Sequence, residues 1–314
     1  MMLQLENISI AYGKCKVVED LNLDIAEGEM FGLVGPSGAG KTSILRVIAG
    51  IIKPNGGAVR VDDINIVVNE KKRKRMIGYL PADFGSYESL KVSEYLQFYA
   101  STYGYGGKKT TEVCNQALSF VHLEQRENEL VDGLSRGMKQ QLSLARSIIH
   151  NPRVLVLDEP YSGVDPIALK EIKKILVKLR QLGKTILITS HMLPEISDIC
   201  TSFGVLDRGK MIIHGKTEEV ITSINVINPI VIQILEGEEK ALKILKEEVL
   251  VRTVSIEDKR IAITFSGDEY EQAKLLTKLT NSGVLIGSYN RIKGDFDALF
   301  NAIVHQPDLN GGER

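Results

Sequence analysis

The chain has 314 residues, 43% hydrophobic and 25% charged, so at roughly 150 residues per domain it holds about two domains and can bury a sizeable core. Its 39 Lys+Arg against 40 Asp+Glu leave a net charge of -1, which argues against a nucleic-acid partner recruited by bulk charge. Apolar runs such as residues 154–157 and 185–189 fall far short of the roughly 20 residues of a membrane span. The N-terminus, MMLQLENISI, lacks the basic-then-apolar order of a secretory signal. Cys15, Cys114 and Cys200 stand at no paired or metal-like spacing, which suits a reducing compartment.

In chain order, residues 1–25 read as short strands around a turn at Tyr12-Gly13-Lys14. Residues 30–34 form a compact apolar run ending in glycines, a buried strand that enters a tight loop, and residues 43–49 carry helical apolar spacing. Gly50 and the stretch 53–57 supply a helix end and a turn. The basic run Lys71-Lys72-Arg73-Lys74-Arg75 reads as a solvated face or edge, with contact to anionic lipid headgroups as the alternative. Residues 86–150 are mostly helical, with helices at 92–103, 109–121 and 136–150. Strand signals return at 153–157 and 184–189 around a helix at 167–182, so strands alternate with helices and predict a mainly parallel sheet.

The pattern weakens across 216–229. Beyond it the order is strand 230–235, helix 238–247, a hairpin 251–265 turning at Asp258-Lys259, helix 268–280 and strand 284–289. Strand-helix-strand-strand-helix-strand predicts a ferredoxin-like arrangement. The expected organisation is a first domain over 1–216 with a helical subdomain at about 86–150, a linker at 217–228, a second domain at 229–306 and a frayed tail at 307–314.

Gly35-Pro36-Ser37-Gly38-Ala39-Gly40-Lys41-Thr42 fits G-x-x-x-x-G-K-[ST] and lies between a predicted strand and a predicted helix. Glycines let the backbone N–H groups close around phosphate oxygens. Lys41 then reaches the β- and γ-phosphates, and the Thr42 hydroxyl holds Mg²⁺; Ser43 follows directly. The apolar stretch 154–157 ends in Asp158-Glu159-Pro160, which puts two carboxylates at the strand end where open α/β sheets bind ligands. Asp158 there coordinates Mg²⁺ through water, and Glu159 polarises the water that attacks the γ-phosphate.

Between these motifs, Leu134-Ser135-Arg136-Gly137-Met138-Lys139-Gln140-Gln141 opens a predicted helix, with Ser135 near the N-cap and 23 residues ahead of Asp158. It resembles the signature sequence of the ABC (ATP-binding cassette) ATPases, usually LSGGQ. The resemblance implies a P-loop NTPase ABC ATPase core, α/β with a helical subdomain, followed here by the α+β ferredoxin-like domain. It also implies that Ser135 and Gly137 cap the γ-phosphate held by a second protomer's phosphate loop. By the same resemblance Tyr12, 23 residues before Gly35, stacks on adenine, Asp165 of Ser162-Gly163-Val164-Asp165 lies in the D-loop, and His191 is the switch histidine that contacts the γ-phosphate and orients water.

One position departs from the family. Where a glutamine usually follows Gly-Tyr-Xaa-Pro, this chain has Gly78-Tyr79-Leu80-Pro81-Ala82-Asp83. An alanine side chain cannot ligate a metal, so either Asp83 takes that role or water completes the shell. Together with the signature variant and the tail motif at 295–300, this stretch looks like the ATPase subunits of bacterial ABC exporters that work with a separate membrane permease. The implied protein binds ATP and Mg²⁺, pairs with a second ATPase protomer and sits at the cytoplasmic face of the membrane through its permease, without nucleic acid. The alternatives are the subunit of an importer with a regulatory C-terminal domain, or a soluble ABC ATPase outside transport.

Overall fold

The computed structural model describes residues 1–85, 87, 89–220, 229–257 and 260–291. The chain divides into two compact units, Met1–Thr217 and Glu218–Arg314. The Asp258-Lys259 turn, the tail motif at 295–300, the expected frayed end and most of the expected linker lie outside the described residues.

The alternation of strands and helices predicts one mainly parallel sheet; the first unit has two sheets. An antiparallel sheet of order β2-β1-β4-β5 is built from β1 (Leu3–Tyr12), β2 (Cys15–Ile25), β4 (Gly56–Val61) and β5 (Ile64–Asn65). The second, of order β10-β9-β3-β8-β7-β6, comprises β3 (Met30–Val34), β6 (Ile77–Leu80), β7 (Val154–Leu157), β8 (Thr185–Ser190), β9 (Ser202–Asp207) and β10 (Lys210–Lys216). It is parallel except for the edge strand β10, which turns back on β9.

β3, β7 and β8 are buried at every residue, as expected of parallel strands covered on both faces. β10 alternates exposed and half-buried residues, the pattern of an edge. Between the sheets, helix α1 (Lys41–Ala49) buries Ile44, Leu45, Val47 and Ile48 in a core shared with Leu3, Leu5 and Ile25 of the first sheet and Phe31, Val156 and Leu187 of the second.

Helix α2 (Glu70–Met76) leads into β6, and its solvated side chains agree with the reading of the basic run as an exposed face. The helical layer holds α3 (Val92–Thr102), α4 (Lys108–Phe120) and α5 (Arg136–Ile148); α6 (Pro166–Gln181) links β7 to β8. Each boundary lies within about two residues of its sequence expectation. The missed elements are β4, β5, α2, β9 and β10. The first three are short, and β9 and β10 form a hairpin whose cue was the turn at Asp207-Arg208-Gly209, with Arg208 at φ 41 and Gly209 at φ 77.

The second unit runs β11 (Ile230–Glu236), α7 (Glu238–Glu247), β12 (Val251–Glu257), β13 (Arg260–Phe265), α8 (Glu269–Asn281) and β14 (Leu285–Arg291). Its antiparallel sheet has order β12-β13-β11-β14, the ferredoxin-like arrangement. Ile230, Ile232, Ile263 and Phe265 pack with Leu245 of α7 and Leu275 and Leu279 of α8. Asp268 caps α8 through a capping box with Glu271.

Leu187 sits fully buried at the centre of the large sheet, between β3 and β7. Leu187→Ala is expected to lower unfolding free energy by about 2–5 kcal/mol, read as a lower denaturant midpoint with an unchanged slope.

Candidate nucleotide site

The parallel register aligns Val34 with Ser190 and Leu157 with both Ile188 and Leu80. The carboxyl ends of four strands therefore release the glycine loop, the Asp158-Glu159 pair, Thr189 to His191, and Pro81 to Asp83 along one edge. In open α/β sheets ligands bind at that edge.

The loop 35–40 passes close under the sheet: a Cβ on Gly35 would lie 2.3 Å from the Leu206 carbonyl oxygen. It ends at Gly40, the N-cap of α1, whose φ of 107 denies the position to other residues and leaves the helix without a side-chain cap. The N–H groups of the first turn are thus open to an anion. Lys41 is buried, and its ammonium donates to the carbonyls of Gly35 at 2.6 Å and Pro36 at 3.1 Å, with Glu159 Oε1 at 3.9 Å. Burial lowers its pKa, partly offset by Glu159 and Asp158. The lysine is thus already desolvated and held by carbonyls that a phosphate oxygen outcompetes.

Asp158 is 1% exposed. Its Oδ1 accepts from Thr189 Oγ1 at 2.8 Å and Thr42 Oγ1 at 3.2 Å, whereas Oδ2 is buried without a hydrogen-bond partner. Burial pushes the carboxyl pKa up, and the two hydroxyls pull it back only in part. A buried carboxylate oxygen left unpaired costs free energy; beside a threonine hydroxyl and a phosphate loop it is the donor a cation or its water would use. Mg²⁺ commonly takes one or two protein oxygens and completes its shell with phosphates and water, and Thr42 with Asp158 fits that set.

Glu159 occupies a left-handed backbone conformation, φ 45, of the strained kind that gathers at functional sites. Its N–H donates to Thr189 Oγ1 at 3.0 Å, and its Oε2 accepts from His191 Nδ1–H at 3.2 Å. Thr189, which sequence reasoning missed, therefore holds both acidic residues; its signal was a hydroxyl at the end of a buried strand one residue before Ser190-His191. At the mouth of the loop, the exposed Tyr12 puts its hydroxyl 3.3 Å from Ser43 Oγ.

A second group of residues gathers at the start of α5. Ser135 is its N-cap and accepts from the Met138 N–H at 3.3 Å. A Cβ on Gly137 would meet the Ala168 Cβ at 2.4 Å, and one on Gly163 would meet the Arg136 guanidinium carbon at 2.4 Å. Asp165 caps α6 by accepting from the Ile167 and Ala168 N–H groups. The start of α5 and the loop that enters α6 are therefore interlocked.

Asp83 is exposed, and its carboxylate accepts from the Gly85 N–H at 3.1 Å. The loop beyond it is instead gripped by rings that sequence reasoning overlooked. Phe84 and Tyr87 pack on Tyr95 of α3, the Tyr87 and Tyr99 hydroxyls pair at 2.8 Å, and Arg146 of α5 lies over the Tyr99 ring. Their cue was the spacing of Tyr95, Phe98, Tyr99 and Tyr103 along one helix.

A phosphate loop, a buried strand-end carboxylate and a strained glutamate paired to histidine define a nucleoside-triphosphate-hydrolysing cassette. The ABC transporter family matches residues 18–162. The linearmycin resistance ATP-binding protein of Bacillus subtilis is 30% identical over 278 residues, covering 88% of this chain and 89% of that one. The Nod factor export ATP-binding protein I of Ralstonia nicotianae is 36% identical over 221 residues, 70% of this chain and 69% of that one. A bacterial ABC transporter cassette solved as a dimer superposes with TM-score 0.63 at 25% identity, over 69% of this chain and 99% of that one. The chain belongs to the ABC transporter ATP-binding proteins: it is an ATP-binding subunit with a P-loop NTPase fold, and its ATP hydrolysis is coupled to transport.

A carboxyl whose pKa is raised in the folded state contributes stability in acid that is lost as pH rises through the folded value. At neutral pH the nucleotide-free protein therefore bears the cost of the buried Asp158 charge. Asp158→Asn is expected to raise the Tm of the nucleotide-free protein at pH 7 by roughly 2–4 °C, the shift about 1 kcal/mol produces in a domain of this size. The gain should shrink toward pH 4, and the added stabilisation by Mg²⁺ with ATP should disappear in thermal melts.

Proposed function

We propose that this subunit powers an exporter as one of two cassettes arranged head to tail, each ATP lying between Lys41, Thr42 and Asp158 of one protomer and Ser135 and Gly137 of the other. Glu159 acts as general base on the attacking water, and the Nδ1–H of His191 orients its carboxylate. The observation that carries this reading is the Thr42–Asp158–Thr189–Glu159–His191 chain of hydrogen bonds. It fixes a metal-facing oxygen and a base on adjacent residues.

When bound, Mg²⁺ held by Thr42 Oγ1 and Asp158 Oδ2, directly or through water, would neutralise charge on the β- and γ-phosphates. Lys41 releases the Gly35 and Pro36 carbonyls to hold phosphate, residues 37–40 and Ser43 at the helix start donate backbone N–H groups, and Tyr12 supplies a ring for adenine. The open N-terminus of α5 beside Ser135 offers donors to the terminal phosphate of the partner's nucleotide.

Dimerisation is supported by the cassette solved as a dimer, and export by the similarity to the Nod factor export ATP-binding protein. Among the described residues no helix is long and apolar enough to cross a membrane. The bilayer-crossing part then belongs to a separate permease, which docks near residues 82–103 and holds the subunit at the cytoplasmic face.

Glu159→Gln is expected to bind ATP and form a stable dimer while hydrolysing at least about 100-fold more slowly, measured by phosphate release and light scattering. Wild-type turnover in that variant defeats the base assignment. Lys41→Ala should weaken ATP binding at least about tenfold, from the loss of a charge-assisted hydrogen bond, by titration calorimetry.

A further inference from the structure

The basic run of the sequence has no part in the nucleotide site. In the fold it becomes helix α2, capped by Asn69, with no buried residue. At about 100° per residue, Lys71, Lys74 and Arg75 fall within an arc of about 100°, opposite Arg73 and Met76. Met76 packs on the core, and Arg73 donates to the Ile66 carbonyl at 3.1 Å while its guanidinium lies over Gly50, where a Cβ would be 2.0 Å from its Nε. One arginine of the run thus fastens the helix to the end of α1, and its remaining basic side chains point away from the body.

Around this helix the surface is more basic than the chain as a whole. Lys72 is also exposed, and Lys53 is close enough to act with Lys74 and Arg73 in holding the Glu70 carboxyl below its usual range. Glu70, already paired with Lys74 at 2.6 Å, is the only acid within the helix. Two aliphatic side chains border the patch: Val68, 81% exposed, just ahead of the cap, and Ile51, 58% exposed, next to the Gly50 that Arg73 crosses.

We propose that α2 with Lys53, Ile51 and Val68 is a membrane-surface contact for anionic lipid headgroups. The basic side chains meet lipid phosphates, and the two aliphatic side chains enter the interfacial layer. A surface for single-stranded nucleic acid would pair its cations with aromatic rings that stack on bases; this one pairs them with the exposed aliphatic side chains of Ile51 and Val68. Each Lys or Arg near an anionic leaflet contributes about 1 kcal/mol, or about fivefold in partitioning. Such a contact orients a subunit that a permease holds; it does not anchor one. The patch stands apart from the ATP site, so the proposal survives failure of the base assignment and can fail while that assignment holds.

The test is co-sedimentation of the full chain with phosphatidylcholine vesicles, with and without 30% phosphatidylglycerol, at low and at 0.5 M salt. Binding is expected only to the anionic vesicles and only at low salt. Lys71→Gln/Lys74→Gln/Arg75→Gln should reduce it about 100-fold with basal ATPase unchanged, and Ile51→Ser/Val68→Ser should reduce it several-fold even at low salt. Wild-type protein that ignores anionic vesicles, binds neutral ones equally, or binds as well after the triple substitution overturns the proposal. So does duplex DNA, or inorganic phosphate at millimolar concentration, that competes away the vesicle binding as effectively as excess anionic lipid.

Discussion

The buried carboxylate of Asp158 is the constraint around which the first unit is arranged. A charge 1% exposed survives in a protein interior only where hydrogen bonds replace water. Here they come from two elements far apart in sequence, Thr42 on α1 and Thr189 on β8. Both hydroxyls reach one oxygen only because β7 lies beside β8 in parallel register and α1 descends from the neighbouring β3. The unspent Oδ2 is the remainder of that accounting. The site keeps one strong acceptor dry and unpaired, and it keeps Lys41 dry and only loosely satisfied, so nucleotide and cation find partners whose desolvation is already complete.

A second constraint is one of packing, at the start of α5. Gly137 against Ala168, and Gly163 under Arg136, bring the start of α5 and the D-loop closer than side chains at either glycine would allow. Because Asp165 simultaneously caps α6, Ser135 cannot shift relative to the D-loop without breaking these contacts.

The phosphate loop, the acidic strand end and the second unit's βαββαβ order were legible in the sequence because each is written in contiguous residues: glycines at fixed spacing, a short apolar run before carboxylates, alternation of period. What escaped was tertiary. Thr189 is one threonine in an apolar strand until the sheet order puts it over Asp158. The β9–β10 hairpin has weak apolar patterning on β10 because that strand is a half-exposed edge. The Phe84–Tyr87–Tyr95–Tyr99–Arg146 cluster joins a loop to two helices, and no single stretch contains it.

That cluster bears on the departure at Ala82. Where the family pattern has a glutamine, this chain has Ala82. Ala82 has no atom to offer a cation, and one oxygen of the exposed Asp83 carboxylate accepts from the Gly85 N–H. Rings hold the loop beyond it: Phe84 and Tyr87 are fastened to α3, and Arg146 fastens α3 to the helix that Ser135 begins. The half-buried guanidinium lies among tyrosines, over the Tyr99 ring. Such ring packing is lost steeply with separation, so it resists drawing Phe84 and Tyr87 away from α3.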